Sequence, residues 1–279
     1  MRSIYCAPRA RWQRSRRSVS DAPSHSLFQT ERQREIVAST TAAGRVEVAE
    51  LASRFGVTTE TIRRDLSELQ EQRLLRRVHG GAVAWESTEF EPLLTVRTDQ
   101  HDDEKRRIAK LAIAELPDTG TIIIDSGSML GRFAEAVPSD TTLRVITNSL
   151  PIAMTLAEHD EVEVIAVGGK VRKNTMAMVD ADAVAALEGF TVDTLFISTD
   201  GLSPSMGLTT PYRQEARLKQ AMLASARRVV ALVDQSKFGK DQLVRFAQWS
   251  DVDVLITTTE ADGVALAQIE AMGTTVLQA

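Results

Sequence analysis

Residues 44–83 read GRVEVAELASRFGVTTETIRRDLSELQEQRLLRRVHGGAV, and the reading of this stretch decides the fold. Leu51, Ala52 and Phe55 fall at helical spacing within Val48–Phe55, and Gly56 ends that helix. Thr58 is a good N-cap for a second helix over Thr59–Gln72, where Ile62, Leu66 and Leu69 form one buried stripe. Leu74–Val78 and Ala82–Ala84 read as short strands around a His79-Gly80-Gly81 turn. Upstream, a polar run from Thr30 carries Ile36 and Val37 and stops at Ala43-Gly44, which adds a further helix. Helix, helix, turn, helix and hairpin make a winged helix-turn-helix.

With Ile62, Leu66 and Leu69 inward, the second helix leaves Thr59, Glu60, Arg63, Arg64 and Ser67 outside or flanking. In such folds the N-terminal half of this helix lies in the major groove, where Arg grips guanine O6 and N7. Arg63 and Arg64 are the first candidates for base or phosphate contact. Thr58 and Thr61 sit where a hydroxyl bonds phosphate at a helix N-terminus. Arg76, Arg77 and His79 in the wing reach an adjacent groove or backbone. Any one arginine is as readily explained by an ion pair with Glu60, Asp65 or Glu68. The case for DNA rests on the helix, the wing and the charge together.

That charge is uneven. The chain has 279 residues and a net charge of −5, yet residues 1–85 carry 15 Arg against nine acids and the remainder is net −11. A basic head on an acidic body is expected when only one part meets nucleic acid. Residues 1–28 read as a disordered basic leader. Arg16-Arg17 is not an export signal, because no apolar segment follows it. One cysteine, Cys6, excludes a disulfide scaffold and fits a reducing, cytoplasmic compartment, and no run of 18 apolar residues spans a membrane.

The head is expected at 29–84, a linker at 85–98 and a second domain at 99–279. A polar helix from about Asp99 to Leu116 opens that domain. Apolar strands then alternate with helices, the pattern of a mostly parallel, Rossmann-like α/β sheet covered on both faces. Strands at Thr121–Asp125, Leu143–Thr147, Val162–Val167, Thr194–Ser198 and Arg228–Val233 each end in a polar loop, and ligands bind beyond the carboxyl ends of such strands. Asp125-Ser-Gly-Ser suits an oxyanion at a helix N-terminus. Asn148 suits a sugar hydroxyl or an ordinary turn equally well, and Asp200 suits vicinal hydroxyls. Glu215 and Lys219, four apart, read equally as a helix ion pair. Lys237 reads as an anion ligand or as a solvated lysine.

The stretch 44–83, with TIRRDL, a leucine-rich segment and HGGA, resembles the signature of DeoR-family transcriptional regulators, and the resemblance runs to about residue 260. It implies a cytoplasmic regulator, commonly a repressor of sugar or related carbon metabolism, released from operator DNA by a phosphorylated effector. It also implies a sensor similar in fold to ribose-phosphate isomerase and glucosamine-phosphate deaminase. Carried over residue by residue, its effector pocket comprises Asp125, Ser126, Gly127, Ser128, Thr147, Asn148, Ser149, Gly168, Gly169, Asp200, Gly201, Glu215, Lys219 and Lys237. Two positions depart from the family pattern. Met129 and Leu130 replace hydroxyl residues, and Asp180 stands where Gly is usual.

The competing class is an isomerase-like enzyme carrying a DNA-binding head, with Asp200, Glu215 and Lys219 as acid–base groups. The head itself argues against it. His25, His79, His101 and His159 lack metal-ligand spacing, and no nucleotide or cofactor motif is present. No catalytic residue, cofactor or metal is therefore assigned. A homo-oligomer is expected, because dimers read short operator half-sites.

Overall fold

The computed structural model describes residues 28–83 and 93–279. The expected leader (apart from Phe28), Ala84 at the end of the expected head, and residues 85–92 of the expected linker lie outside the described residues.

The head runs α1 (Gln29–Ala43), β1 (Arg45–Glu47), α2 (Val48–Phe55), α3 (Thr59–Glu71), β2 (Arg76–Val78) and β3 (Gly81–Val83). Its core gathers Ile36, Leu51, Phe55, Ile62, Leu66, Leu69 and Leu75. Each such side chain contributes roughly 1.5–3 kcal/mol on burial. Gly56 closes α2 in the left-handed region, and the Thr58 hydroxyl accepts the Thr61 N–H at 3.1 Å to start α3. The wing is a three-stranded sheet ordered β1-β3-β2. β1 is the strand that the sequence reading did not anticipate, since three residues are too few to show alternation. Gly81 faces Glu47 in this sheet, and a Cβ there would overlap the Val46 carbonyl.

One polar contact crosses the head's interior. Arg32 on α1 forks onto Asp65 on α3, its Nε and one terminal nitrogen donating at 2.6 and 3.1 Å, with both residues buried. Asp65 therefore faces the core and is not a partner for Arg63 or Arg64.

The second domain opens with α4 (Leu94–Asp99) and α5 (Asp102–Ala112). The helix expected over 99–116 is α5, continued by a 3-10 turn at Ile113–Glu115, and the last residues of the expected linker form most of α4. His101 adopts φ 56° between them and turns the chain. Lys105 closes the corner by donating to the Arg97 and Gln100 carbonyls, left open where α4 ends.

The chain continues as β4 (Thr121–Ile124), α6 (Ser128–Ala136), β5 (Leu143–Thr147), α7 (Leu150–Leu156), β6 (Val162–Ala166), β7 (Val171–Arg172), β8 (Ala177–Met178) and α8 (Ala181–Ala186). Then follow β9 (Val192–Ile197), β10 (Gly201–Ser203), β11 (Gly207–Thr210), α9 (Arg213–Ser225), β12 (Ala226–Leu232), β13 (Val244–Ala247), β14 (Val254–Thr257), α10 (Gly263–Ala271) and β15 (Thr275–Gln278). Seven strands form one parallel sheet, ordered β15-β14-β12-β9-β4-β5-β6. Alternate residues of each strand serve opposite faces. Ile123, Leu195, Ala231 and Leu255 pack with Ala216, Met222 and Ile269 on one side. Ile122, Phe196, Val230 and Ile256 pack with Ile108, Phe133 and Ile152 on the other. β10, β11 and β13 make a small antiparallel sheet, and β7 and β8 make a hairpin.

Two outcomes are expected. Asp65→Ala leaves Arg32 charged and buried and costs the head about 3–5 kcal/mol, whereas the double change Arg32→Met, Asp65→Leu costs less than either single one. Urea unfolding checks both. Burial pushes Lys105 down to about 8, with Asp234 opposing and Lys237 and Arg97 assisting. Its folded pKa lies below its unfolded value near 10.5. The unfolded chain therefore binds more protons between these values, and stability rises with pH across that window. The stability difference between wild type and Lys105→Met should climb from pH 8 to 10, and a flat difference would refute the assignment.

Candidate functional site

On the head, Thr59, Glu60, Arg63 and Arg64 are exposed along the first turns of α3, and Thr61 is half-buried. Arg63 pairs with Glu60 at 3.3 Å and Arg64 with Glu68 at 3.4 Å, with the two arginine side chains 55% and 81% exposed. Exposed pairs of this kind are worth little, so both arginines are available to a stronger partner. Arg77 folds back from the wing, donating to Ser67 Oγ at 2.6 Å, while its backbone N–H meets Gln70 at 2.9 Å. Its side chain thus lies along α3, on the exposed surface of the head. Arg76 and His79 are exposed on the wing. The Thr58 hydroxyl is already engaged as the helix cap, which leaves Thr59 and the α3 N-terminus facing outward.

In the second domain a crevice opens beyond the carboxyl ends of β4, β9 and β12. Its walls include Arg97, Ser126, Gly127, Ser128, Asp200, Glu215, Lys219 and Lys237. Gly127 begins α6 with φ 114°, a conformation open to glycine, and places Ser128 at the first helical position. Leu130 and Met129 both pack in the core, and Met129 also reaches the crevice wall. Lys219 extends from α9 into the floor, where its ammonium donates to the Asp125 carboxylate and to the Ser198 carbonyl at 2.9 Å. Lys219 and Glu215 share a face of α9 but take different partners, so the simple helix ion pair is not what forms. Glu215 accepts from Arg172, whose guanidinium lies 3.6 Å over the Tyr212 ring. Asp200 accepts from Arg97 at 3.3 Å.

The carboxylates are unequal. Burial alone would raise Asp200, but Arg97, Lys237 and Lys219 hold it below the usual carboxylate range. Glu215 is pushed up, by burial first and then by the negative charge on Asp200. Thr210 Oγ lies 2.9 Å from Asp200 and 3.1 Å from Glu215. A hydroxyl has one proton to give, so a proton retained on Glu215 lets Thr210 satisfy both neighbours. Lys237 is pushed down, by burial first and then by repulsion from Arg97, against the pull of Asp234 and Asp200. The crevice is thus a field of paired charges that excess anion or cation can rearrange.

Seven expected pocket residues are not on this wall, and one of them, Asp125, lies behind it as the buried partner of Lys219. Thr147 ends β5 and accepts the Ser149 N–H at 3.1 Å, and Ser149 in turn caps α7. Asn148 braces β8, donating to the Met178 carbonyl at 3.1 Å and accepting the Met178 N–H at 2.9 Å. Gly168 and Gly169 form the turn after β6, closed by the Asp180 carboxylate accepting the Lys170 N–H at 2.8 Å. Asp180 also caps α8, and these backbone N–H groups hold its carboxyl below the usual range. Its charge is absorbed locally. Gly201 is a packing position, since a Cβ there would overlap the Lys240 carbonyl.

Sequence reasoning missed Arg97, Arg172, Thr175 and Asp234. Arg97 lies in a stretch read as linker, and Arg172 and Thr175 belong to a hairpin with strands too short to show a period. The signal available was a basic run just past the Gly168-Gly169 turn. His101 does gather with Glu104 and Asp234, ligand atoms within 4.8 Å of one another. Most of those atoms already serve each other and their neighbours: His101 Nδ1 meets Glu104 Oε1 at 2.7 Å, Gln235 donates to the same oxygen at 3.2 Å, and Asp234 accepts the Ser236 N–H at 3.0 Å, while Glu104 Oε2 is buried without a hydrogen-bond partner. Among the described residues, no helix is long and apolar enough to cross a membrane.

Comparison with known proteins adds the family. Residues 32–88 match the DeoR-like helix-turn-helix domain and residues 100–259 the DeoR C terminal sensor domain. The HTH-type transcriptional regulator GlpR of Haloferax volcanii is 36% identical over 90% of this chain and 98% of its own length. The glycerol-3-phosphate regulon repressor of Escherichia coli is 32% identical over 83% of this chain and 91% of its own. Ribose 5-phosphate isomerase A from Neisseria gonorrhoeae superposes with a TM-score of 0.38 at 18% identity, over 52% of this chain and 56% of that one, too loosely to bear on function. The curated relatives are regulators, not enzymes. With a reading head and a sensor in the order these matches require, the chain belongs to the DeoR family of transcriptional regulators.

Proposed function

We propose that this regulator is a repressor of carbohydrate or related carbon-catabolism genes, released from its operator by a phosphorylated sugar-type effector. The observation that carries the reading is the crevice, where Arg97, Lys219 and Lys237 converge with the Ser126-Gly127-Ser128 turn at the start of α6. Cations beside a glycine-led helix N-terminus suit a phosphate, and the neighbouring Asp200 suits sugar hydroxyls. The names of relatives such as the glycerol-3-phosphate regulon repressor agree in class. Asp125, Ser126, Gly127, Ser128, Asp200, Glu215, Lys219 and Lys237 form the effector site in this reading. Thr147, Asn148, Ser149, Gly168, Gly169 and Gly201 support the loops around it. Thr59, Glu60, Arg63, Arg64, Arg76 and His79 face the operator, with Thr58 and Thr61 presenting the helix N-terminus and Arg77 swinging off Ser67. A homo-oligomer pairs two heads on a two-part operator.

Arg63→Ala and Arg64→Ala should each weaken operator binding in a salt-dependent titration without lowering the melting temperature. Unchanged affinity in both removes α3 from the interface. A thermal-shift screen of sugar phosphates against their parent sugars tests the sensor. A ligand at about 100 times its Kd adds roughly 2.7 kcal/mol. A shift by a phosphorylated compound and not by its parent is expected, and Lys237→Ala should abolish it while operator binding persists. Equal shifts from parent sugars would overturn the phosphate reading.

A further inference from the structure

The β7–β8 hairpin touches the crevice on one side and the reading head on the other. Its connecting residues, 173–176, are held by the Thr175 and Met176 N–H groups, which donate to the Arg172 carbonyl at 3.2 and 2.8 Å. Thr175 lines the crevice, is 4% exposed, and its buried hydroxyl has no hydrogen-bond partner. Buried polar groups are almost always paired, so a hydroxyl left over in a ligand crevice points to a ligand that completes it. The neighbouring residue faces the other way. The Asn174 carbonyl accepts the Leu94 N–H at 2.8 Å, at the start of α4, and its side-chain oxygen accepts from Arg73 at 2.9 Å.

Arg73 stands just past the C-terminus of the reading helix α3, in the left-handed region where glycine is the ordinary choice. Among the described residues the non-glycine positions with positive φ are Arg73, His101 and Met176, at 57°, 56° and 53°. One closes the reading helix, one joins α4 to α5, and one lies in the hairpin. Such backbone costs free energy and persists where surrounding structure requires it. Here all three lie in the segments that lead from the crevice to the head.

The crevice is tight at its floor and open toward solvent, with about 30 Å³ free between its walls. A sugar phosphate seated there presses on those walls. Walls at the strand ends are anchored in the parallel sheet. Thr175 on the hairpin and Arg97 on α4 are not, and Asn174 joins the hairpin to both α4 and the head.

We propose that the hairpin reports effector occupancy to the reading head: Thr175 bonds the effector, and the movement that admits it withdraws Asn174 from Arg73. The proposal rests on the repressor reading above and adds the residues that transmit the signal. In the closed arrangement Asn174 fixes α3 relative to the sensor, and that arrangement grips the operator. The effector favours the arrangement in which the contact is broken, so the coupling is reciprocal.

The full-length chain and the variants Asn174→Ala, Asn174→Asp and Thr175→Val test this. Operator DNA is selected by wild type from a random-sequence pool. Glycerol 3-phosphate, fructose 1-phosphate, glucose 6-phosphate, ribose 5-phosphate and inorganic phosphate are titrated by calorimetry. Removing a contact that opposes entry should make Asn174→Ala bind the active compound about threefold more tightly and operator about threefold more weakly. Asn174→Asp, which keeps an acceptor for Arg73, should restore both values. Thr175→Val should bind the compound about tenfold more weakly. An Asn174→Ala protein with both affinities unchanged, or with both weakened, overturns the proposal. If no compound binds wild type, the phosphorylated-effector class of the preceding section fails, and the operator arm decides the hairpin alone. There, weaker operator binding by Asn174→Ala with rescue by Asn174→Asp supports the contact, and unchanged binding overturns it.

Discussion

The ammonium of Lys219, buried against Asp125 and the Ser198 carbonyl, is the interaction on which the crevice depends. A lone charge at that depth would be far too costly, and the pair is tolerated because each partner is also fixed by its own element. It pins α9 to the ends of β4 and β9, which sets where Glu215 emerges one turn earlier. The remaining carboxylates follow the same rule with a difference. Asp200 takes its cation from α4 and Glu215 takes its cation from the hairpin. Asp125 and Asp200 follow strands of the sheet and Glu215 stands on α9, whereas two of the bases come from α4 and the hairpin.

That division explains how a tightly paired site can still respond. An anion placed among these groups competes with the carboxylates for Arg97 and Lys237, while Lys219 keeps its bonds to Asp125 and the Ser198 carbonyl and turns its third N–H to the anion. The field therefore has a fixed centre and adjustable edges. The low dielectric that makes each pair strong also makes each exchange of partner consequential. The rise in Glu215 and the fall in Lys237 both bring charge closer to neutral, which lowers the cost of holding so many groups together.

Much of this was legible in the chain. The stripe of Ile62, Leu66 and Leu69 has a helical period, and the parallel strands are apolar on both faces because both faces are covered. The loops at Asp125, Asp200 and Lys237 announce themselves by following such strands. What stayed hidden is non-local or aperiodic. Arg32 meets Asp65 from 33 residues away, and Arg97 meets Asp200 from 103. No spacing rule reports either contact. The break at His101 uses left-handed backbone on a residue that does not advertise it. Gly168, Gly169 and Gly201 were legible as special positions, but the sequence alone did not say for which reason, since turns and close approaches demand glycine as firmly as ligands do.

The hydrophobic cores are also separate. The head's cluster runs from Ile36 to Ala82, and the two that flank the large sheet draw on residues from Ile108 onward. Polar contacts, Arg73 with Asn174 among them, join units whose interiors share no side chain among the described residues. Divergence can therefore work on the two specificities independently, because repacking one interior leaves the other untouched. A duplicated copy of this gene is free to acquire a new DNA address while keeping its chemical sense, or the reverse, provided the few residues at the joint stay compatible.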